Sequence, residues 1–284
     1  MSAVGAIDAS YVRPDTRRRS PLYLSCLIFL GLVVLVAIVA PYVTPYDPNT
    51  VDLLAINAPP GTAGHLLGTD QNGRDLLSRL MLGSRTALLG PLIVTVVASA
   101  LGIVAGAVAG SAGGWVDAVL SRIIDFLFAF PGLLLAVFAV ALFGPGLLAP
   151  ALALSIAYTP LGARLVRTLV IRESSKDYVR ATRILGFSGT VTFGRHVLPN
   201  IAPVILSQSL LGFAYAVVDL AAISYLGLGI QPPSADWGLM ISEGQSSVIS
   251  GAIWPVFWPA LMIVLVVACV NYVGEHIVDR FERG

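Results

Sequence analysis

Asp219 and Asp125 are the residues with most chemistry to explain, because each falls inside a run of apolar residues long enough to cross a membrane. A carboxylate near mid-membrane costs at least ~2.5 kcal/mol on insertion scales, so it must face a bundle interior or a watery path. Asp219 therefore reads either as a path or gate group or as a buried acceptor for Tyr215, Ser224 or a neighbouring helix. Asp125 follows Arg122 on the same helical face, which predicts a structural ion pair near one interface, with a gate contact as the sharper alternative. Proton relay would need a chain of acids and histidines, and neither aspartate has one beside it. His65, His196 and His276 are too scattered for a metal or a triad and read as surface histidines. Asp70, Asn72 and Gly73 share letters with a calcium loop, but such a loop needs Gly at position 6 and a bidentate Glu at position 12, where Met81 stands. A turn and a helix start fit better. Cys26 and Cys269 sit in apolar segments, so neither a disulfide framework nor a thiolate metal site is expected. Lys176 is the only lysine and lies outside any Gly-x-x-x-x-Gly-Lys-Ser/Thr context, so no ATP-binding loop, cofactor or metal is expected on this chain.

The longest polar interruption in the C-terminal half is SSKDYVRATRILGFSGTVTFGRHVLPN, residues 174–200. Its pattern is two short helices. Ser174 or Ser175 can cap the first and Gly186 can end it in a left-handed turn. Tyr178, Ala181, Ile184 and Leu185 share one face, with Lys176, Arg180 and Arg183 on the other. Ser188 can cap a second helix that must stop near Pro199. A short amphipathic helix beside a membrane is built to be held by something; a basic loop lying among lipid headgroups is the competing reading.

The elements that must position these residues follow from composition. At 56% hydrophobic and 12% charged, 284 residues cannot form an ordinary soluble domain. The fold class is an all-α polytopic membrane protein with six transmembrane helices. A net charge of +1 excludes a nucleic-acid footprint. Runs at 22–43, 86–109, 118–142, 147–171, 201–226 and 252–274 are each long enough to span. An arm at 1–21 precedes the membrane domain at 22–284. The first run competes with a signal peptide but exceeds a typical apolar core and has no small-residue cleavage pattern, so retention is expected. Residues 75–82 predict an amphipathic helix lying flat at the outer interface. With both termini cytoplasmic, fourteen Lys and Arg residues fall on the inner side and only Arg74, Arg79 and Arg85 outside. That asymmetry places 174–200 in the cytoplasm. Trp115, Trp237, Trp254 and Trp258 fall at predicted span ends or in adjoining loops, as an interfacial belt would have them. Gly102, Gly106, Ala109 and Gly110 predict close helix packing.

The 174–200 stretch resembles the cytoplasmic coupling loop of ABC importer permeases, whose pattern is Glu-Ala-Ala, three residues, Gly, nine residues, Ile, any residue, Leu, Pro. Arg180, Ala181 and Thr182 stand at the Glu-Ala-Ala positions, Gly186 follows after three, His196 stands at the Ile, and Leu198 and Pro199 close the pattern. Arg180, Thr182 and His196 depart from the family letters. HLLGTDQNGRDLLSRLMLGSRTALL at 65–89, GGWVDAVLSRIIDFLFAFPGLLLA at 113–136 and SYLGLGIQPPSADWGLMISEG at 224–244 are similar to the second, C-type permease of dipeptide and oligopeptide importers. Nickel and glutathione importers share that subfamily. The resemblance implies a bacterial inner-membrane heterodimer with a homologous second permease, one or two P-loop ATPase subunits that bind ATP and Mg, and an extracytoplasmic solute-binding protein. It implies that Ala181 and Gly186 shape a docked helix, Tyr178 and Leu185 fill a groove, and Arg180 and Arg183 bias its orientation. Gln208, Tyr215 and Asp219 are the candidates for the path. A stand-alone secondary transporter or channel, which would need its own ion-coupling site, and a membrane enzyme are the rivals from other classes.

Overall fold

The computed structural model describes residues 21–281, so the arm at 1–20, with Arg13, Arg17, Arg18 and Arg19, and the Arg283 position lie outside the described residues. The fold is helical, with no strand among the described residues. Helix α1 is Pro21–Val43, α2 Leu76–Ala112, α3 Gly114–Phe128, α4 Gly132–Phe143 and α5 Leu148–Ser174. Then come α6 (Asp177–Ile184), α7 (Gly189–Thr192), a π-helical turn at Phe193–Val197, α8 (Leu198–Tyr225), α9 (Trp237–Glu243), α10 (Gln245–Ile249) and α11 (Trp254–Phe281). Five helices are long and apolar enough to cross a membrane, and α3 with α4 makes a sixth if the bent pair counts as one.

The expected span at 118–142 is not one rod. It breaks between α3 and α4 with a bend of 78°. The last turn of α3 tightens into short bonds, Ala129 N–H to Phe126 C=O and Phe130 N–H to Leu127 C=O, just before Pro131. Pro131 pushes Phe130 out of the helical region. Proline alone does not decide, since Pro91, Pro160, Pro203 and Pro259 lie inside unbroken helices.

The flat outer helix expected at 75–82 is instead the first two turns of α2, continuous with the span. Asp75 caps it by accepting from the Ser78 N–H at 2.8 Å. Its polar face does not see solvent, because Arg79 is 1% exposed and bonded to Glu243 of α9. The second helix of 174–200 does not stop at Pro199 either. Ser188 caps α7 as expected, accepting from the Val191 N–H, but the π turn carries the backbone directly into α8. Pro199 then sits in the first turn of α8, where its missing N–H is not required.

The core runs along α2 and α5. A Cβ on Gly102 would stand 3.2 Å from the Ala163 nitrogen, one on Gly106 2.5 Å from the Ala163 carbonyl oxygen, and one on Gly110 3.0 Å from the Arg167 carbonyl oxygen. The three glycines let the two backbones touch over two turns, as small residues do in membrane bundles. Two of the expected interfacial tryptophans are structural. Trp237 is 1% exposed and donates from Nε1 to the Leu80 carbonyl at 3.0 Å, and Trp258 donates to the Leu67 carbonyl at 3.2 Å. Trp254 packs against the same cluster, and Trp115 is exposed.

Candidate functional site

Three places bring polar or exposed groups together. The first is the end of the bundle bearing α6 and α7. Gly186 has φ +82°, and the Phe187 N–H reaches the Thr182 carbonyl at 3.1 Å, so α6 ends in the left-handed turn that its sequence requires. The expected Ser175 cap is not made; its hydroxyl donates backwards to the Arg172 carbonyl at 2.7 Å. The apolar face also divides differently from its sequence pattern. Val179 is buried in one cluster with Val170 of α5 and Ile201 of α8, and Thr182 is buried with its hydroxyl 3.3 Å from that of Thr192 on α7, whereas Ile184 is 86% and Leu185 74% exposed. Ala181, Phe187 and Val191 are exposed beside them. Tyr178 is exposed, while its hydroxyl donates to Glu173, accepts from Asn200 Nδ2 at 2.6 Å, and lies beside the Lys176–Glu173 pair. Burial, then the Glu173 carboxylate, raises the Tyr178 pKa. Tyr178, Glu173 and Asn200 thus tie α6 to the ends of α5 and α8. Arg180 is exposed and pairs loosely with Asp177 at 3.8 Å. The side chain of Arg183 lies outside the described residues. Leu198 is partly buried and Pro199 exposed.

The second place is the concavity at the α3–α4 break. Gln208, Gly212, Tyr215 and Asp219 recur at helical spacing on α8, so they share one face. Asp219, Tyr215 and Gly212 line a cavity of about 320 Å³ with Phe128, Phe130 and Tyr158. Gln208 and Ser209 line a smaller groove that continues from it along α2, α5 and α8, sharing Tyr158, Leu161 and Gly212. Tyr158, on α5, donates its hydroxyl to Asp219 Oδ2 at 2.8 Å. The hydrogen bond to a neighbouring helix and the cavity are both present, so the two sequence readings of Asp219 are compatible.

The expected Arg122–Asp125 pair is not formed. Asp125 pairs with Arg164 of α5 at 2.6 Å, and Arg164 lies 4.3 Å from the centre of the Phe128 ring. Asp117 takes both arms of Arg167, at 2.5 and 2.6 Å. Arg122 is exposed. For Asp125, a partner 39 positions away on a packed helix wins over one a turn away on an exposed face.

The third place is the cap at the other end. Arg74 donates to Asp70 at 2.7 Å and to Glu243 at 2.8 Å, and Arg79 donates to the same Glu243 oxygen at 2.9 Å. Asp70 also accepts from the Asn72 and Arg74 N–H groups, so the calcium-like letters form a turn closed by arginine. His65, read as a surface residue, is buried and bonded through Nδ1 to Asp75 at 3.0 Å. Asp236 caps α9 through the Gly238 and Leu239 N–H groups and accepts from the Thr86 hydroxyl at 3.0 Å. Burial pushes its carboxyl up despite those bonds. Among the described residues no group of three or more His, Cys, Asp or Glu is arranged to hold a metal, and Cys26 and Cys269 are free thiols.

Sequence reasoning missed Tyr158, Glu173, Asn200 and Glu243. Only Glu173 left a signal: it is the one acid between Arg172 and Lys176, at the exit of a span.

Packed helices long and apolar enough to cross a membrane, around a concavity, define a multi-pass membrane protein. The same fold occurs in a chain of the inward-facing MetNI methionine ABC transporter, with a TM-score of 0.57 at 18% identity over 71% of this chain and 95% of that one. The family described as the binding-protein-dependent transport system inner membrane component matches residues 102–284, and the N-terminal TM domain of oligopeptide transport permease C matches 18–60. The chain belongs to this family of ABC importer permeases, multi-pass proteins of the bacterial inner membrane. It is 39% identical to the di/tripeptide transport system permease protein DppC of Pseudomonas aeruginosa (strain UCBPP-PA14), over 90% of this chain and 86% of the relative. It is likewise 39% identical to the dipeptide transport system permease protein DppC of Escherichia coli (strain K12), over 90% and 87%. Identity to the probable D,D-dipeptide transport system permease protein DdpC of the same strain is 34%, over 97% and 96%.

Proposed function

We propose that this chain is one of two permease subunits of an ATP-driven importer of di- or oligopeptides. In this reading both termini are cytoplasmic, and the α6–α7 surface is the coupling element on which one or two P-loop ATPases dock. A second, homologous permease completes the path, and a solute-binding protein delivers cargo from outside. ATP and Mg are bound by the ATPases; this chain holds no cofactor and catalyses no reaction.

The observation that carries the reading is the exposed apolar surface of Ala181, Ile184, Leu185, Phe187 and Val191. It sits on an element that is itself anchored to the bundle, through Val179 and Thr182 and through the Tyr178–Glu173–Asn200 cluster. An anchored element with an uncovered apolar face is suited to receive a push and pass it on. Gly186 fixes the angle at which the chain leaves that face, Arg180 and Arg183 bias the partner's orientation, and Leu198 and Pro199 start the helix that receives the motion. Gln208, Tyr215 and Asp219 face the path.

Affinity purification from native membranes in mild detergent tests this directly. A second permease and one or two P-loop ATPases should accompany the chain, and membranes carrying the assembly should take up dialanine only with ATP. A chain that emerges alone and transports in liposomes without ATP would replace this reading with a secondary transporter.

A further inference from the structure

We infer that the cavity at the α3–α4 break is a recognition site for a protonated amine, the N-terminal ammonium of a carried peptide, with Asp219 as its counter-ion and the Phe128, Phe130 and Tyr215 rings as its walls. The inference rests on the importer reading above and adds which end of the cargo this subunit holds.

Charge is the first ground. Asp219 accepts one hydrogen bond, from Tyr158, and no basic side chain pairs with it among the described residues. A carboxylate offers about four acceptor positions, so most of its capacity opens towards the cavity it lines. Arg164, which lies over the Phe128 ring, is committed to Asp125 at 2.6 Å. A carboxylate at membrane depth that faced lipid would be costly, so this face must be met by water or by a cation.

The walls are the second ground. Tyr215 is 64% exposed, standing out from α8 into open space rather than packing. Aromatic faces attract cations within about 6 Å of the ring centre, most strongly where water is excluded. Arg164 already places a guanidinium on one face of Phe128, so the ring environment here accommodates positive charge. An ammonium can bond to the carboxylate and lie against the rings at once, whereas an anionic or purely apolar group would leave Asp219 unanswered.

Size is the third. About 320 Å³ lies within the range of small-ligand pockets and accepts one end of a short peptide. The groove past Gln208 and Ser209 gives the remainder of the chain a polar-edged continuation along the same helix.

The test uses the complete importer in nanodiscs, with Leu133→Cys as a thiol reporter on the cavity wall and Cys26 and Cys269 replaced by Ala. Dialanine and its desamino analogue, propionyl-alanine, differ by the ammonium alone. Dialanine should protect the reporter from a charged thiosulfonate reagent at a concentration at least ten-fold lower than propionyl-alanine. Asp219→Asn should bring the two within about two-fold, and Asp219→Glu should keep the preference. Should Asp219→Asn fail to assemble, Tyr158→Phe supplies the second arm, retaining the charge while lowering the preference several-fold. Equal protection by the two compounds with Asp219 intact would overturn the inference. So would a preference that survives Asp219→Asn, or no protection while ATP-driven dialanine uptake continues. Restoration of Asp219→Asn by neutralising a basic residue of the second permease, with amine preference unchanged, would reassign Asp219 to an ion pair between subunits and also overturn it. Failure of the importer reading has a separate signature: no ATP-dependent uptake of dialanine by the unaltered assembly, which would remove both.

Discussion

The two ends of the bundle handle difficult side chains in opposite ways. At the cap, Arg74, Arg79, Asp70, Glu243, His65 and Asp75 are all turned inward and answered by one another. At the α6 end, Ile184 and Leu185 are turned outward, 86% and 74% exposed, with Phe187 and Val191 partly exposed beside them. The cap is finished within the subunit; the α6 end leaves apolar side chains uncovered, as the proposed docking of a partner requires. Buried, paired charge therefore marks architecture at the cap. A partner that docked at the cap would meet a preset shape, whereas one at α6 would supply the missing half of a core.

Substitutions break or sharpen this contrast, and can be ranked by their cost to the folded chain. Glu243→Ala comes first. It leaves two buried guanidinium groups without their shared acceptor and should destabilise by about 3 kcal/mol in SDS-unfolding measurements in mixed micelles. Loss within a few tenths of a kcal/mol would mean the cap is not held by its charges. Next is Gly106→Val, which forces α2 off the Ala163 backbone and should cost about 2 kcal/mol by the same assay, while Gly31→Val, with open space around it, should cost little.

Asp236 gives a smaller, pH-dependent effect. Burial lifts its carboxyl above the ordinary 3.8, so the folded chain holds that proton more readily than the unfolded one. The associated stability is full below about pH 3.8 and is lost as pH climbs through the raised value. Comparing thermal midpoints of Asp236→Asn and the parent from pH 3.5 to 6 should show the parent losing ground as pH rises; a constant gap would remove Asp236 as the cause.

Ile184→Asp should be the mildest for folding, within about 0.5 kcal/mol, because the side chain touches so little. Yet it should reduce ATP-driven uptake at least ten-fold and weaken retention of the ATPases on purification. Full uptake in this variant would erase the distinction between the two ends.

Much of the fold was legible because apolar run length and glycine chemistry act locally. Five of the six runs, the Gly186 turn and the close approach of Gly102 and Gly106 to α5 all follow from residues read within a few turns of each other. The cap was not legible, because Arg79 finds Glu243 across 164 positions and a charge in sequence looks solvent-bound until its partner is placed. The same blindness assigned Trp237 and His65 to surfaces. At the site, the spacing of Gln208, Tyr215 and Asp219 identified one face, but the cavity in front of it exists only because α3 and α4 part at Pro131. Nothing in the run 118–142 distinguishes that proline from Pro41, Pro91, Pro160, Pro203 and Pro259, which helices absorb.

One feature of the α6 end reaches further than its own neighbourhood. Because the π turn joins α7 to α8 without a break, Gly189–Tyr225 is a single shaft of 37 residues, about 55 Å long. Val191 sits near its foot and Asp219 near its head, roughly 42 Å apart at 1.5 Å per residue. Pivoting such a shaft by about 5° at the foot sweeps the head through about 4 Å, more than the length of the Tyr158–Asp219 hydrogen bond. A π turn is one of the places where helices bend, so under the proposed coupling role the fulcrum is built into the foot of the shaft.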